Sequence, residues 1–305
     1  MNAATARLPN TFIVGAPKCG TTALCDYLNQ HPQAFVCKPK EPHYFVKDEM
    51  PRKARRVNWE RYQHIFERAN ADYKVRAEGS VWYLYSQTAL ANIREFNSDA
   101  KIIVMLRRPD EMVYSMHSQA VSNFSEDILS FDDAWTVSMN GNKRSAYPEL
   151  CDEPSKLFYD RIANYAEQLE RVYSFFPLEQ VHVVFYDDFK KNTAGSYAKV
   201  LQFLEIDPFE ANFQRVNENS VVKNRVIGKF LTKPPKAVLQ VTKLIRKITG
   251  IQDLRWRDAL ASLNTKSVKR EKLNEDTRKQ IISVYREDIL RLQTLCGRDL
   301  SQWLE

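Results

Sequence analysis

Apolar residues along this chain alternate between short continuous runs and longer stretches with helical spacing. A continuous apolar run of about four to eight residues is typical of a strand that is covered on both faces. The runs predict strands at 11–14, 101–106 and 181–186, with a shorter strand at 75–78. Apolar residues three or four apart predict helices at 22–30, 58–69, 87–96, 109–123, 154–176, 193–204 and 275–295. Strands that alternate with helices indicate an α/β fold, in which helices flank a central parallel sheet.

We predict a single domain over residues 1–305, because the sequence contains neither internal repeats nor low-complexity tracts. A chain of 305 residues is long enough to bury the core of one large domain. Its longest apolar runs are strand-sized, well short of the roughly 20 residues that span a bilayer. The first residues lack the apolar core of a signal peptide. We therefore expect a cytoplasmic protein, although an ectodomain trimmed of its membrane anchor would have the same features.

The numbers and positions of the glycines and cysteines further narrow the class of protein. The chain has only 8 glycines, and two of them, Gly15 and Gly20, fall within one short segment. Such a pair marks a place where the backbone approaches something closely. The 5 cysteines are odd in number and scattered, which opposes a disulfide framework. Because the histidines and cysteines show no zinc-ligand spacing, we expect no metal site.

The segment Gly15-Ala-Pro-Lys-Cys-Gly-Thr-Thr22 follows the first predicted strand and opens the first helix. We call residues 15–22 the phosphate loop, because N–H groups at a helix N-terminus and the helix dipole favour a bound anion. The nucleoside-triphosphate version of such a loop carries Lys after its second glycine. Here Thr21 holds that position, and the lysine is Lys18 in the middle of the loop.

Pro17-Lys18-Cys19-Gly20-Thr21-Thr22 resembles the phosphosulfate loop of sulfotransferases that use 3′-phosphoadenosine 5′-phosphosulfate (PAPS). The resemblance implies a P-loop-like three-layer fold, PAPS as donor, 3′-phosphoadenosine 5′-phosphate (PAP) as product, and no metal. It implies that Pro17, Lys18, Cys19, Gly20, Thr21 and Thr22 bind the phosphosulfate, with Lys18 also stabilising the leaving phosphate. Cys19 is expected to be a small inward-facing side chain, because the family uses no nucleophile there.

Arg107-Arg108-Pro109, followed by Ser115, comes directly after the apolar run at 101–106. In the family that these residues resemble, this arginine and serine bind the 3′-phosphate, so Arg107 and Ser115 are assigned to it. A guanidinium fork and a hydroxyl donor suit a phosphate dianion. The resemblance also places Tyr186 near the nucleotide. It further places Lys269 and Arg270 in a basic loop that closes over the nucleotide.

Two other functions stay open at this point. A P-loop kinase or nucleotide hydrolase needs an acidic residue at a strand end to hold Mg²⁺. The strand at 101–106 ends in two arginines, but Asp187 and Asp188 after the strand at 181–186 leave a kinase open. The third hypothesis is a non-enzymatic, basic module that binds a nucleotide or a membrane.

Lys40-Glu41-Pro42-His43-Tyr44-Phe45 resembles the K-E-x-H-[FY]-F segment of the carbohydrate and bacterial branch of the family. The resemblance makes Glu41 the base that deprotonates the acceptor, with His43 as the alternative base. An acceptor hydroxyl or amine must lose a proton as it attacks, so a base within hydrogen-bond reach assists. We expect burial to raise the pKa of Glu41 and so to offset the neighbouring Lys40.

The segment Glu78-Gly79-Ser80-Val81 departs from the E-K-[ST]-P pattern of many glycosaminoglycan sulfotransferases, because it lacks the lysine. This departure argues against a polyanionic glycan acceptor. Ser80 and Trp82 are assigned to the acceptor side of the site. The acceptor itself is left open as a small molecule, a glycan or a lipid, sulfated at oxygen or nitrogen.

The net charge of +7 has one origin. Residues 219–252, the basic segment, contain no Asp or Glu and eight Lys or Arg, and subtracting these eight charges leaves −1 for the rest. We predict an amphipathic helix at 236–248. Three interpretations of the basic segment stay open: contact with an anionic membrane or acidic substrate, a lid that guides PAPS, or a solvated helix face. Nucleic-acid binding is not expected, because no recognised motif is present.

Overall fold

The computed structural model describes residues 7–48, 57–70, 72–151, 153–214, 220–232, 263–267 and 271–305, with residues 234, 238 and 260. Its centre is a sheet of five parallel strands in the order β2-β3-β1-β4-β5. These strands are β1 (Thr11–Gly15), β2 (Ala34–Val36), β3 (Val75–Glu78), β4 (Lys101–Leu106) and β5 (Val181–Phe185). The chain runs from β1 to the β2 side of the sheet and later crosses to β4. The carboxyl ends of β1 and β4 therefore flank the crevice where α/β sheets bind ligands.

Ten described helices accompany the sheet. They are α1 (Thr21–Leu28), α2 (Trp59–Ile65), α3 (Ala89–Phe96), α4 (Pro109–Ser122), α5 (Phe131–Met139), α6 (Tyr165–Phe175), α7 (Tyr186–Lys191), α8 (Thr193–Leu204), α9 (Arg225–Thr232) and α10 (Glu275–Cys296). Asn58 caps α2, because its side chain accepts a hydrogen bond from the Arg61 N–H at 3.0 Å. No helix within the described part of the chain is long and apolar enough to cross a membrane.

The strands β1 and β4 form the middle of the core. All residues of β1 are buried, and all of β4 except Lys101. Phe12, Ile13 and Ile103 have no exposed surface. Both faces of these strands are covered, and this is why their sequences are continuously apolar instead of alternating. The four strands predicted from the sequence are confirmed, with β5 ending at Phe185, one residue earlier than predicted.

The helix predicted over 154–176 is wrong in its first half. Residues Pro154–Leu157 form a short 3-10 helix, a turn region follows, and α6 begins only at Tyr165. The carboxylate of Asp288 on α10 accepts hydrogen bonds from the N–H groups of Ala166, at 3.0 and 3.1 Å, and of Glu167, at 3.4 Å. A carboxylate at a helix N-terminus satisfies N–H groups that have no partner within the helix. The start of α6 is thus stabilised by a residue far away in sequence.

The described part of the basic segment joins a small second sheet. Strands β6 (Ser220–Val222) and β7 (Thr265–Ser267) pair antiparallel, and α9 follows β6. Asn264 ties the two together, because its side chain accepts from the Asn224 N–H and donates to the Asn224 carbonyl, both at 3.0 Å. The predicted helix at 236–248 and the predicted nucleotide-loop residues Lys269 and Arg270 lie outside the described residues.

Candidate active site

The phosphate loop turns sharply between β1 and α1, and both of its glycines are required there. The φ of Gly15 is 146° and that of Gly20 is 88°, which side chains rarely tolerate. A Cβ on Gly15 would lie 2.6 Å from the carbonyl oxygen of Val81. A Cβ on Gly20 would lie 3.0 Å from a ring carbon of Tyr186. The loop is therefore pressed against its surroundings, with no room for a side chain at either position.

The N-terminus of α1 faces the loop in a form that suits an anion. Gly20 is the N-cap residue, it supplies no side-chain cap, and the first turn contains no acidic residue. The N–H groups of this turn have no partner within the helix, and the dipole places partial positive charge there. Thr21, the first residue of α1, adds a hydroxyl group. These features fit the phosphosulfate group of PAPS.

Cys19 is buried inside the loop, with no exposed surface. Its thiol donates to the carbonyl of Pro17 at 3.3 Å and lies 4.0 Å from the Tyr165 hydroxyl. Burial raises the pKa of Cys19 to about 12, although the positive charges of Arg107 and Lys18 oppose the shift. A thiol with this pKa stays protonated at neutral pH and is a poor nucleophile.

Arg107, directly after β4, connects the separate parts of the site. Its Nη1 donates to the carbonyl of Lys18 at 3.3 Å, and its Nε and Nη2 donate to one oxygen of Glu111 at 2.9 and 2.7 Å. Its guanidinium carbon lies 4.7 Å from the centre of the Tyr186 ring. The arginine, the loop lysine and the tyrosine predicted from sequence thus meet at one place.

Ser115 lies on α4, which Pro109 begins just after Arg107. Pro109 stands at the first helical position, where its missing N–H costs nothing. Ser115 is buried on the inner side of this helix, about 9 Å along the axis from the helix start. The adjacent Arg108 turns elsewhere and pairs with Asp110 at 3.2 Å. Of the two neighbouring arginines, only Arg107 contacts the phosphate loop among the described contacts.

Glu41 and His43 lie together in the connection between β2 and α2. One oxygen of Glu41 is 2.8 Å from Lys40 Nζ, and the other is 3.3 Å from His43 Nε2. Burial acts to raise the pKa of Glu41, but the hydrogen bond from His43 and the charge of Lys40 outweigh it. The pKa of Glu41 is therefore lowered, and the expectation that burial would raise it is wrong.

His43 contacts the segment that follows β3 through both its backbone and its ring. Its backbone N–H donates to the hydroxyl of Ser80 at 3.1 Å, and its ring meets the Tyr83 ring edge-on. Its φ of 51° places it in the left-handed region. Among the described residues, its Nδ1 is buried without a hydrogen-bond partner. Ser80, predicted on the acceptor side, thus positions the backbone of the alternative base.

Glu78 is a buried carboxyl group that sequence reasoning did not single out. It ends β3 with no exposed surface and accepts a hydrogen bond from the Tyr62 hydroxyl. Burial raises its pKa, while hydrogen bonds from Tyr62, Tyr83 and Ser80 limit the shift. Its position directly before Gly79-Ser80 is the one signal in the sequence that points to it.

Trp82, the other predicted acceptor residue, lines a cavity of about 190 Å³ between α4 and the residues after β3. Lys156 Nζ lies 5.3 Å from the centre of a Trp82 ring. Glu153 is also part of the lining, and one of its oxygens is buried with no hydrogen-bond partner in the described structure. The remaining lining residues are Met116, Gln119, Ala120, Asn123, Ser125, Cys151 and Leu157. A more open groove of about 780 Å³ runs along β5, and its lining includes no phosphate-loop residue.

The fold and the site define a P-loop-like α/β protein whose phosphate loop lies at the carboxyl edge of the parallel sheet. The family model "Sulfotransferase domain" matches residues 8–249. The chain therefore belongs to the sulfotransferase family. The enzyme class, the PAPS donor and the three-layer fold predicted from the motifs are those of this family. Within the described residues, no group of three or more His, Cys, Asp or Glu is placed to hold a metal.

Curated relatives are similar over about two thirds of this chain. Heparan sulfate glucosamine 3-O-sulfotransferase 5 from Mus musculus is 27% identical over 202 residues, which are 66% of this chain and 55% of the relative. Heparan sulfate glucosamine 3-O-sulfotransferase 3A1 from Mus musculus is 30% identical over 198 residues, 65% of this chain and 46% of the relative. The chain spans about half the length of these relatives.

A solved structure shows the same fold over nearly the whole chain. The crystal structure of a sulfotransferase from Alicyclobacillus acidocaldarius has a TM-score of 0.71 and 23% sequence identity. The match covers 97% of this chain and 99% of that one. At this identity, the likeness establishes the fold alone.

Proposed function

We propose that this protein transfers the sulfuryl group of PAPS to a hydroxyl or amine of an acceptor. One observation carries the proposal: Arg107 at the end of β4 donates to the carbonyl of Lys18 in the loop after β1. The loop after β1 and the residue after β4 thus meet at the carboxyl edge of the sheet. Each contributes a cationic residue, and a nucleotide with a phosphate at both the 3′ and the 5′ position requires two such groups. Lys18, Gly20, Thr21 and Thr22 bind the phosphosulfate, and Arg107 and Ser115 bind the 3′-phosphate.

Asp187 and Asp188, the residues that could have held Mg²⁺ in a kinase, both accept hydrogen bonds from other side chains. Asp187 accepts a hydrogen bond from the indole N–H of Trp303 at 2.9 Å. Asp188 accepts two hydrogen bonds from Arg298, one of them at 2.9 Å. Both carboxylates thus bind the C-terminal end of the chain. A Mg²⁺ ion would have to compete with a bound guanidinium, which disfavours a kinase or nucleotide hydrolase.

Glu41 is the proposed base. Bound PAPS supplies an activated sulfuryl group, and the protein must take a proton from the attacking acceptor atom. Glu41 keeps its negative charge near neutral pH, since its pKa is lowered. His43 contacts the carboxylate at 3.3 Å and orients it. Lys18 stabilises the negative charge that grows on the leaving phosphate.

The cavity beside Trp82 is the proposed acceptor pocket. Its lining includes Trp82, which follows Ser80 by two residues, and Met116, which follows Ser115 on α4. Amide groups of Gln119 and Asn123 and the unpaired oxygen of Glu153 favour an acceptor rich in hydroxyl or amine donors. Sugars and other small polyols have this chemistry, and the relatives are named as sulfotransferases of a glycan.

Gly79 supports a neutral or amino-bearing acceptor over a polyanion. A Cβ at this position would lie 2.7 Å from the sulfur of Cys25, so no longer side chain fits there without a shift. The site thus has no lysine at position 79 to meet an anionic sugar. Sulfation assays with chitooligosaccharides against heparan sulfate test this part, and preferred turnover of heparan sulfate would contradict it.

The basic segment and the cellular location stay predictions. Arg225 of the described part lies over the Phe124 ring at 5.3 Å, so at least this cation packs on the domain. The lid, the membrane contact and the cytoplasmic location are each compatible with that contact. Binding of the protein to vesicles with and without anionic lipid tests the membrane interpretation.

Binding and turnover assays test the proposed function. We expect PAP to bind tightly by calorimetry and ATP–Mg²⁺ to bind weakly. Glu41→Gln should abolish sulfuryl transfer from ³⁵S-labelled PAPS without loss of PAP affinity, while His43→Ala should leave measurable turnover. Tight ATP–Mg²⁺ binding with no affinity for PAP would refute the proposal. Near-normal turnover of Glu41→Gln together with loss in His43→Ala would make His43 the base.

A further inference from the structure

Lys40 contacts both the proposed base, Glu41, and the end of the phosphate loop at Thr21. Neither the motifs nor the proposed function gives Lys40 a role. Its ammonium nitrogen is 2.8 Å from one oxygen of Glu41 and 3.4 Å from the hydroxyl of Thr21. Thr21 begins α1, where the phosphate loop ends. One cation therefore contacts the proposed base and also borders the anion site.

The position of Lys40 is built by the surrounding backbone. Its aliphatic stem lies over Gly79, where a Cβ would come within 3.3 Å of the lysine Cγ. The Gly79 N–H donates to the Lys40 carbonyl at 3.0 Å, which fixes the backbone beside the stem. The side chain is 20% exposed. The absence of a side chain at position 79 thus leaves room for the stem of Lys40.

The other charged and titratable groups near Glu41 leave Lys40 as its main cationic partner. His43 contacts the second carboxylate oxygen from the same segment. From α1, Cys25 faces this region with a pKa that burial raises to about 12, so it carries no charge at neutral pH. From β3, the buried carboxyl group of Glu78 stands behind His43 and Ser80. Movement of the Lys40 ammonium therefore changes the electrostatic potential at the Glu41 carboxylate.

Resting on the function proposed above, we propose that Lys40 couples donor binding to the base. An anion at the N-terminus of α1 attracts the ammonium toward Thr21 and weakens its ion pair with Glu41. The carboxylate then loses a neighbouring positive charge and becomes a stronger base when the donor is in place. An ion pair that competes with donor binding is a coupling free energy, and coupling is reciprocal. Removal of the Glu41 charge must therefore tighten the binding of an anion at the loop.

A double-mutant cycle on the full chain measures this coupling with PAP as the probe. Calorimetry at pH 7 gives the Kd of PAP for the unmodified protein, Lys40→Met, Glu41→Gln and the double variant. We expect Lys40→Met to weaken PAP binding about tenfold, which corresponds to about 1.4 kcal/mol, because one cation beside the anion site is lost. Glu41→Gln should tighten PAP about threefold or more, and the same change in the Lys40→Met background should alter Kd less than twofold.

Two controls separate a functional role from a structural one. Lys40→Arg keeps the charge and should restore PAP affinity to within about threefold, whereas loss of packing alone would not depend on charge. Thermal unfolding of each variant checks that it is folded. Lys18→Met should weaken PAP whether or not Lys40 couples, so it reports on the loop alone.

The outcomes distinguish this inference from the proposed function. Normal PAP affinity in Lys40→Met, or an equal effect of Glu41→Gln in both backgrounds, overturns the coupling and leaves the proposed function intact. No PAP binding by the unmodified protein overturns the proposed function and the coupling with it. Non-additive effects on Kd, with rescue by Lys40→Arg, support the coupling.

Discussion

Arg107 offers the sharpest test of how the nucleotide is bound, because it contacts several parts of the site at once. In Arg107→Met the stem is retained, and the hydrogen bonds to the Lys18 carbonyl and to Glu111 are lost. The stacking of the guanidinium on Tyr186 is lost as well. The variant therefore removes a charge and its contacts without leaving a large cavity.

The expected costs to stability and to binding differ in size. The side chain of Glu111 is 41% exposed, so solvent screens its pair with Arg107 and the pair contributes about 0.5–1 kcal/mol to folding. A charge-assisted hydrogen bond to a bound phosphate contributes about 1.5–3 kcal/mol. Arg107→Met should thus fold nearly normally and bind PAP about 10- to 150-fold more weakly.

The assay compares two ligands that differ at one position. Calorimetry gives the Kd of PAP, which has a 3′-phosphate, and of adenosine 5′-monophosphate, which lacks it. In Arg107→Met we expect PAP affinity to fall to the level of the monophosphate, while the monophosphate itself changes little. Arg108→Met is the matched control, because Arg108 pairs with Asp110 and makes no described contact with the phosphate loop.

An equal loss of affinity for both ligands would refute the reasoning. Arg107 would then act by holding the Lys18 carbonyl in place, and not by binding the 3′-phosphate. A loss of PAP affinity in Arg108→Met as large as that in Arg107→Met would also refute it, since the effect would then follow net charge and not position.

Three further predictions concern the loop and the core. Gly20→Ala should lower the free energy of unfolding, measured in urea, by about 1–2 kcal/mol, because φ is 88° there and the added Cβ would contact Tyr186. Gly141→Ala is the control: φ is 73° but the added Cβ meets open space, so this variant should be destabilised less and keep its PAP affinity. Cys19→Ala should keep more than about half of the transfer rate, since its thiol stays protonated, and near-complete loss of turnover would show a chemical role. Burial lowers the pKa of His117, so the unfolded state takes up a proton first and stability is lost as pH falls below about 6.5. His117→Gln should reduce this pH dependence in urea unfolding between pH 7.5 and 5.5. An unchanged slope of unfolding free energy against pH would contradict the prediction.

Sequence reasoning succeeded where a local pattern determines the structure. The runs at 101–106 and 11–14 are apolar because both faces of these strands are covered, and they became β4 and β1. The helix predicted from residue 109 became α4, because Pro109 acts on the residues next to it in sequence. The loop between β1 and α1 was recognisable for the same reason.

Predictions from the sequence failed where a contact between residues far apart in the chain, or their exact distance, determines the local structure or the pKa. The start of α6 depends on Asp288, which lies more than a hundred residues further along the chain. The pKa of Glu41 depends on how closely Lys40 and His43 approach it, and spacing along the chain does not give that distance. The contact of Lys40 with Thr21 was not predicted, because it exists only once the connection after β2 folds beside α1. In each case the deciding contact is tertiary.

The pairing of β6 with β7 has a consequence for protein engineering. Val222 faces Thr265 across the two strands, so the chain departs and returns at the same point. Asn264 closes this junction through its two hydrogen bonds to Asn224. A stretch anchored at both ends by one short ladder can be exchanged as a cassette while the parallel sheet stays untouched. Chimeras that replace residues between Asn224 and Asn264, with both asparagines and both strands retained, should therefore leave the strand order of the parallel sheet unchanged.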